Sequence, residues 1–497
     1  MSEQLELDTK PAPKKKAPVR KTPVAEKKAI DMSPFITSED NVYAVTNIPE
    51  EYLAVLFAKV SRSPKPFREE LERALSEDAD VLLQQLPVFK GLTEKARAFH
   101  EKWTVGYGHS SVSELASVNL CLEKVSRLAT EQFELGSRFI SLTEFSQRYQ
   151  KPVKCGWHNP AEDEELSARF EEYFTRLFSV YEQLVEKLTA HHVSKGVPKG
   201  PAEKVAYEDA RYVLPLAMHS QLGAKVNGRA LSETLQNMYA SPDKEIRDIA
   251  QKIKHEASKV LPTLIRHVEP SPYLEQYHRE VDYTTHHDTA LVGPKAHFIR
   301  SASSARLTRD FEETRLLRNS PMTYKHADHK MKGGYNRQSS IEEFLKPIRS
   351  YDQLGQYGEF TTFRAEFFIS EACWHQLLRH NRRTNFVASP PSAKLGVVTP
   401  PAIKEAGLVD LYQSATMLSN IFTSMLEQEA PHLTPYAVLN MHIRVVNAQF
   451  DLNQFFHLVN LRTSSEAQWE IRDVFNQLHR HFETEHPAFA PYIKRRT

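Results

Sequence analysis

The order strand, helix, polar motif loop and then a run of helices is written twice along this chain. That repetition constrains the fold more than any other feature. A strand at 116–122 leads into a helix at 123–135 that stops at Gly136. The polar loop Arg138-Phe-Ile-Ser141-Leu-Thr143-Glu144-Phe-Ser146-Gln147-Arg148-Tyr149 follows. Val118, Leu120 and Leu122 give the strand its period of two, and glycine suits a helix C-terminus. Helical spacing predicts further helices at 50–60, 66–75 and 93–105, and again at 162–190, 202–219, 228–240 and 243–260. The second pass opens with a strand at 362–368 and a helix at 370–380 ending in Gln376-Leu-Leu-Arg379-His380-Asn381. Its loop closes on Pro390-Pro391 and Pro400-Pro401, with helices predicted at 403–429, 432–448, 449–461 and 464–484. A pattern that recurs at this scale reads as a tandem duplication whose halves have diverged.

A chain of 497 residues exceeds what one ordinary core supports. Residues 1–37 form a basic tail of Pro, Lys and Ala with little to anchor a core, so disorder is expected there. The stretch 269–295, rich in Pro, His, Tyr and Thr, reads as a linker. The expected division is therefore a tail at 1–37, a first domain at 38–290 and a second, more diverged domain at 291–497.

Bulk properties exclude several classes. No apolar run approaches the ~20 residues of a membrane span, and none near the N-terminus resembles a signal peptide. Three widely spaced cysteines, Cys121, Cys155 and Cys373, form neither a disulfide framework nor a zinc site. A cytoplasmic location is expected. The net charge is +1, so the whole-molecule field gives no support for nucleic-acid binding. His286-His287-Asp288 and His326-x-Asp328-His329 lie in linker-like text, and no metal is expected.

The two loops carry the chemistry. Ser141, Glu144, Ser146 and Arg148 combine hydroxyls, a carboxylate and a guanidinium fork, the groups that hold an anionic phosphate. In the second pass Arg379, His380, Arg382 and Arg383 crowd a helix end, where cations also complement the helix dipole. Arg462 follows the apolar run 455–461, and a partly buried arginine needs a partner, for which an anionic ligand is one candidate.

These residues resemble the flavin-dependent thymidylate synthase family. Arg138, Ser141, Glu144, Ser146, Arg148 and Tyr149 match the second part of that family's signature loop. Gly108-His109-Ser110-Ser111 resembles its flavin-touching Gly-His segment. Ala210-Arg211 before Val213-Leu214-Pro215 resembles its nucleotide-binding arginine helix, and Asn227-Gly228-Arg229 its flavin contact. Gln376 to His380 resembles the front of the signature. Asn460-Leu461-Arg462 with Ala467-Gln-Trp-Glu470-Ile resembles the C-terminal catalytic segment. Departures are complementary. Gly136-Ser137 stands for the leading Arg-His, Thr143 for an Asn, and Met238 for the catalytic arginine. In the second half Asn381 replaces the third signature arginine, Val387 and Pro391 fall where Glu and Arg are expected, and Pro435 replaces the nucleotide-binding arginine.

The resemblance implies an α+β fold of two tandem flavin-dependent-thymidylate-synthase-like domains, each a mainly antiparallel sheet packed with long helices. It implies methylation of dUMP to dTMP with FAD as cofactor and methylenetetrahydrofolate and NADPH as co-substrates. Ser146, Gln147, Arg148, Arg211, Gln376 and Arg462 would bind dUMP, with Arg462 catalytic. His109, Ser111, Arg138, Glu144, Asn227, Arg229, Arg379 and His380 would bind FAD. The active sites would be shared between the halves, and a homodimer would form a pseudo-tetramer. The alternative is a diverged flavin or nucleotide binder acting on another pyrimidine, or a non-catalytic protein.

Overall fold

The computed structural model describes residues 31–48, 63–77, 110–152, 156–281, 291–333, 340–350 and 352–495, with isolated positions between 53 and 102. Two four-stranded antiparallel sheets dominate it. The first half supplies β1 (Val42–Val45), β2 (Ser117–Ser126), α1 (Arg127–Leu135), β3 (Ile140–Glu144), α2 (Glu164–Ser194), α3 (Lys199–Ala210), β4 (His219–Asn227), α4 (Gly228–Tyr239) and α5 (Lys244–Ser258). The second supplies β5 (Lys295–Arg300), β6 (Thr362–Ser370), α6 (Glu371–Leu377), β7 (Asn385–Ala388), α7 (Val409–Glu429), β8 (Ile443–Asp451), α8 (Leu452–Arg462) and α9 (Trp469–Glu485). The strand orders are β1-β2-β4-β3 and β5-β6-β8-β7, the same path walked twice. The fold class is α+β.

Sequence spacing found one middle strand of each sheet, β2 and β6, but not its middle partner, β4 or β8, nor the edge strands. The helix expected at 202–219 stops at Ala210, a 3-10 turn follows at Arg211–Val213, and β4 begins only at His219. Of the helix expected at 432–448 only short helical turns at Pro431–Leu433 and Thr434–Ala437 form, and β8 takes its last six residues and the first three of the helix expected at 449–461. Both strands do alternate, with Leu222, Ala224 and Val226 against Gly223, Lys225 and Asn227, and buried Val446, Ala448 and Phe450 against Asn447, Gln449 and Asp451, a period of two that the helical reading passed over. β2 also runs on through Ser126, past a bulge at Lys124 (φ 52°), so the helix expected from Glu123 begins at Arg127. The helix expected at 403–429 breaks at Gly407, whose φ of 66° no helix tolerates. A helix at Pro272–Arg279 occupies part of the expected linker. Phe35 and Ile36 are buried, so folded structure takes up the chain by that point. Residues 1–30 lie outside the described set.

The halves share one core. Tyr173 of α2 stacks on Phe422 of α7 at 4.3 Å, and Phe170 meets the same ring edge-on at 4.9 Å. Leu216 donates its N–H to the Val438 carbonyl (2.8 Å), and Asn440 returns the bond to Leu214 (2.9 Å). This reciprocal pair marks a pseudo-twofold axis between the halves. No helix among the described residues is long and apolar enough to cross a membrane.

Candidate functional site

Two equivalent locks position the site. Ser126 caps α1 by accepting from the Ala129 N–H (3.1 Å), and Ser370 caps α6 by accepting from Cys373 (3.0 Å). A capping serine of this kind contributes about 1 kcal/mol. Each serine also binds a glutamate of its own half through backbone and hydroxyl. Ser126 donates to Glu245 at 2.8 and 2.6 Å, and Ser370 to Glu470 at 2.7 and 2.6 Å. Each glutamate then receives a tyrosine hydroxyl from the other half: Tyr436 reaches Glu245 (3.1 Å), and Tyr212 reaches Glu470. The second lock therefore pins Arg211, the neighbour of Tyr212, against the second half. Gln468 and Trp469 reinforce it by donating to the Tyr212 hydroxyl (2.9 Å) and to Asp209 (3.0 Å).

Arginines from both halves converge there. Arg211 is buried; its Nε donates to the Glu208 carbonyl (3.2 Å), and its Nη2 has no partner. Gln147 beside it also keeps a buried, unpartnered Nε2, while Asn440 of the second half donates to Gln147 Oε1 (3.2 Å) and to the Arg211 carbonyl (3.0 Å). Arg148 pairs with Glu208 (2.6 Å) and crosses to the Glu466 carbonyl (3.3 Å), and its N–H donates to Ser146 Oγ (3.3 Å). From the other side Arg462 donates to His380 Nε2 (2.8 Å) and to the Gln376 carbonyl (3.1 Å). Burial pushes the Arg211 guanidinium down to about 10, and Arg127 and Arg148 add to the effect. Burial likewise pushes Arg462 to about 10, with Arg379 and Arg148 contributing. Arg211 thus feels two cations of its own half, and Arg462 feels one from each half, an arrangement that an anion relieves. Burial and then Arg462 hold His380 neutral, and with Nε2 accepting, its proton sits on Nδ1.

A cavity of about 280 Å³ opens beside this group, lined by Glu134, Ile140, Ser141, Leu142, Arg379, Asn381 and Arg382. Arg379 reaches across the halves to Glu144 (2.7 Å). Burial opposes the Glu144 carboxylate, but Arg127, Arg379, Ser220 and Thr130 together hold its pKa below the usual value. Burial and the neighbouring Glu144 push Glu134 up to about 8, so it faces the cavity as a neutral acid at pH 7.

Of the residues expected from sequence, Ser146, Gln147, Arg148, Arg211, Glu144, Gln376, Arg379, His380 and Arg462 come together along the junction of the halves. Ser111, Asn227 and Arg229 lie elsewhere. Asn227 caps α4 (2.9 Å from Ala230 N), and Arg229 pairs with Glu114 (2.7 Å) and Glu233 (3.4 Å). Glu233 also receives the Ser137 hydroxyl (2.9 Å). Arg138 donates to Asn385 of the second half. His109 lies outside the described residues. Sequence reading missed Glu134, Glu208, Tyr212 and Asn440. Only Tyr212, next to Arg211, carried a local signal.

Among the described residues, Glu131, Glu371 and His375 are the one group close enough to hold a metal. Arg444 already binds both carboxylates there, at 2.8 Å to Glu131 and 3.0 Å to Glu371. A guanidinium thus fills the place a cation would take. Asp328 is taken up by Arg309 and Lys332, on a helix at Tyr324–Lys332 that the sequence reading did not place. His286, His287 and Asp288 lie outside the described residues.

Comparison with known proteins follows the same outline. A flavin-dependent thymidylate synthase of Clostridium tetani is 32% identical over 171 residues, 34% of this chain and 68% of that protein. A UPF0159 protein of Chlamydia muridarum is 28% identical over 272 residues, and the match spans about half of each chain (51%). A UPF0159 protein of Thermoplasma acidophilum is 20% identical over 473 residues, covering 82% of this chain and 90% of its own. A solved UMP/dUMP methylase of Streptomyces cacaoi aligns with 14% identity and a TM-score of 0.32, over 40% of this chain and 93% of that one. The family model described as thymidylate synthase complementing protein matches twice, at 45–263 and 306–488. Those segments take in β2 to β4, β6 to β8 and the arginines between them, and the chain belongs to this thymidylate synthase family.

Proposed function

We propose that this chain is an FAD-dependent thymidylate synthase that methylates dUMP with methylenetetrahydrofolate and NADPH, in a site shared by two duplicated halves (38–290 and 291–497). The observation that carries the reading is the pair of buried, unpartnered donors, Arg211 Nη2 and Gln147 Nε2, in a neighbourhood where Arg148 acts on both Arg211 and Arg462. Buried donors without acceptors are costly, and a phosphate monoester satisfies them. Ser146, Arg148 and Arg211 would hold the dUMP phosphate, with Gln147 and Gln376 beside it. Arg462, oriented by His380 and the Gln376 carbonyl, would face the uracil ring and stabilise the negative charge that develops on it.

The residues fit a flavin. Arg379, Arg382, Asn381, Ser141 and neutral Glu134 present cationic, amide, hydroxyl and acid groups to one cavity, a donor set suited to a dinucleotide's phosphates and ring carbonyls. Ser111, Asn227, Arg229, Arg138 and His109 would reach its more distant parts. Bound flavin would supply the hydride and one-carbon relay. The chain's own part is to orient dUMP, to hold Arg379 through Glu144, and to keep His380 neutral. Two copies would assemble as a pseudo-tetramer.

The test is direct. Purified protein should carry FAD, and with dUMP, methylenetetrahydrofolate and NADPH it should form dTMP. Flavin-loaded protein that binds dUMP without forming dTMP would instead support a nucleotide-binding relative acting on another pyrimidine. A colourless preparation that takes up no FAD rejects both readings.

A further inference from the structure

We infer that each chain holds one nucleotide pocket, and that the equivalent place across the pseudo-twofold axis has been sealed and turned into structure. The ligand named here rests on the reading above; the count of pockets rests on the fold.

Strand register fixes which residues correspond. Ser126 and Ser370 are equivalent caps. Counting on from both without a gap reaches Phe145 and Ser389, whose N–H groups bond the matching carbonyls of Gln221 and Val445 (2.8 and 2.9 Å). Along this stretch Arg379 corresponds to Leu135, His380 to Gly136, and Arg382, rather than Asn381, to Arg138. From the axis pair Leu214 and Val438 a second gapless count passes the lock tyrosines Tyr212 and Tyr436 and the helix caps Asn227 and Asp451. There Arg211 corresponds to Pro435 and Arg462 to Met238. Arg211, Arg379, His380 and Arg462 therefore each have an apolar or side-chain-free counterpart.

The twin place is also filled. A Cβ on Gly136 would sit 2.6 Å from Thr234 Cγ2 and 2.9 Å from its backbone Cα, so α4 occupies the space His380 uses on the live side. Met238 is fully buried in the first-half core, and Pro435 is buried and has neither a cation nor an N–H to offer. Around the cavity, Arg382 and Ser141 are not bonded to each other. Their counterparts Arg138 and Asn385 are, and that bond closes the twin opening.

Binding stoichiometry decides the matter. Equilibrium dialysis of the flavin-loaded protein should give one dUMP per chain, and Arg211→Ala should abolish saturable binding rather than halve it. Two dUMP per chain, or a residual site in Arg211→Ala, would overturn the inference. Crystals soaked in inorganic phosphate provide a probe independent of the substrate. Phosphate at Arg148 and Arg211 alone supports a single pocket, even if dUMP fails to bind and the thymidylate reading falls. Phosphate between Met238 and Pro435, or at neither place, refutes it.

Discussion

The serine, glutamate and tyrosine lock is built in both halves from the same residue types and the same set of bonds, whereas the positions beside the two locks have opposite chemistry. Next to Tyr212 stands a buried arginine that is pushed down to about 10, and next to Tyr436 stands Pro435. Holding Arg211 and Arg462 without an anion costs desolvation and mutual repulsion, and replacing buried charges with packed apolar groups relieves both. The first-half counterpart of Arg462 is a methionine in a hydrophobic core for this physical reason. The scaffold needs the locks in both halves. The chemistry needs its arginines only on one side.

Substitutions that copy one half into the other test this comparison. Arg444 corresponds to Ser220, and Arg444→Ser would leave Glu131 and Glu371 buried without their cation. Loss of about 3–5 kcal/mol is expected, read by denaturant unfolding. Arg462→Ala should cut dTMP formation by roughly 10²–10³-fold, the range for removing a preorganised charge donor. Met238→Leu at the twin position should leave the rate unchanged and cost less than about 1.5 kcal/mol. Equal losses of rate in the two variants would break the asymmetry. Tyr212→Phe and Tyr436→Phe should each cost about 1 kcal/mol of stability, but only the first should weaken dUMP binding, because Tyr212 holds Arg211 in place.

The smallest effect concerns the caps of α5 and α9. Gln468 accepts from the N–H groups of Glu470 and Ile471 (3.0 and 3.3 Å), while its counterpart Asp243 makes no side-chain cap bond. Burial and then Glu245 push Asp243 up to about 7. Its folded pKa lies above the unfolded value, so the folded chain binds the extra proton. Stability is present below about pH 4 and falls as pH rises toward 7. Asp243→Asn should therefore raise Tm by a few degrees at pH 8 and change nothing at pH 4, measured by calorimetry. A Tm gain that is the same at both pH values would remove burial of the carboxylate as the cause.

Much of the site was legible because its residues are polar where their neighbours are not. Ser146, Arg148 and Arg211 in one half, and Arg379, His380 and Arg462 in the other, stand in loops and helix ends whose spacing survives without a structure. β4 (Leu222, Ala224, Val226) and β8 (Val446, Ala448, Phe450) carry a strand's alternation but lie in text read as helical, and what decides a strand there is pairing with β2 and β6, distant in sequence. Glu134 and Asn440 were missed for a related reason. Nothing beside them in the chain shows that one faces a cavity or that the other bridges Gln147 to Arg211.

The sequence by itself determined that the chain repeats one plan and that the two copies have lost different polar groups, since both are statements about order and side-chain type. Only the tertiary structure decided that the surviving groups meet. Antiparallel register fixed the counterparts, and the pseudo-twofold packing carried Arg211 against the second half and Arg379 against Glu144 of the first. Burial then turned that meeting into chemistry, because guanidinium groups removed from water and crowded together hold a place for an anion.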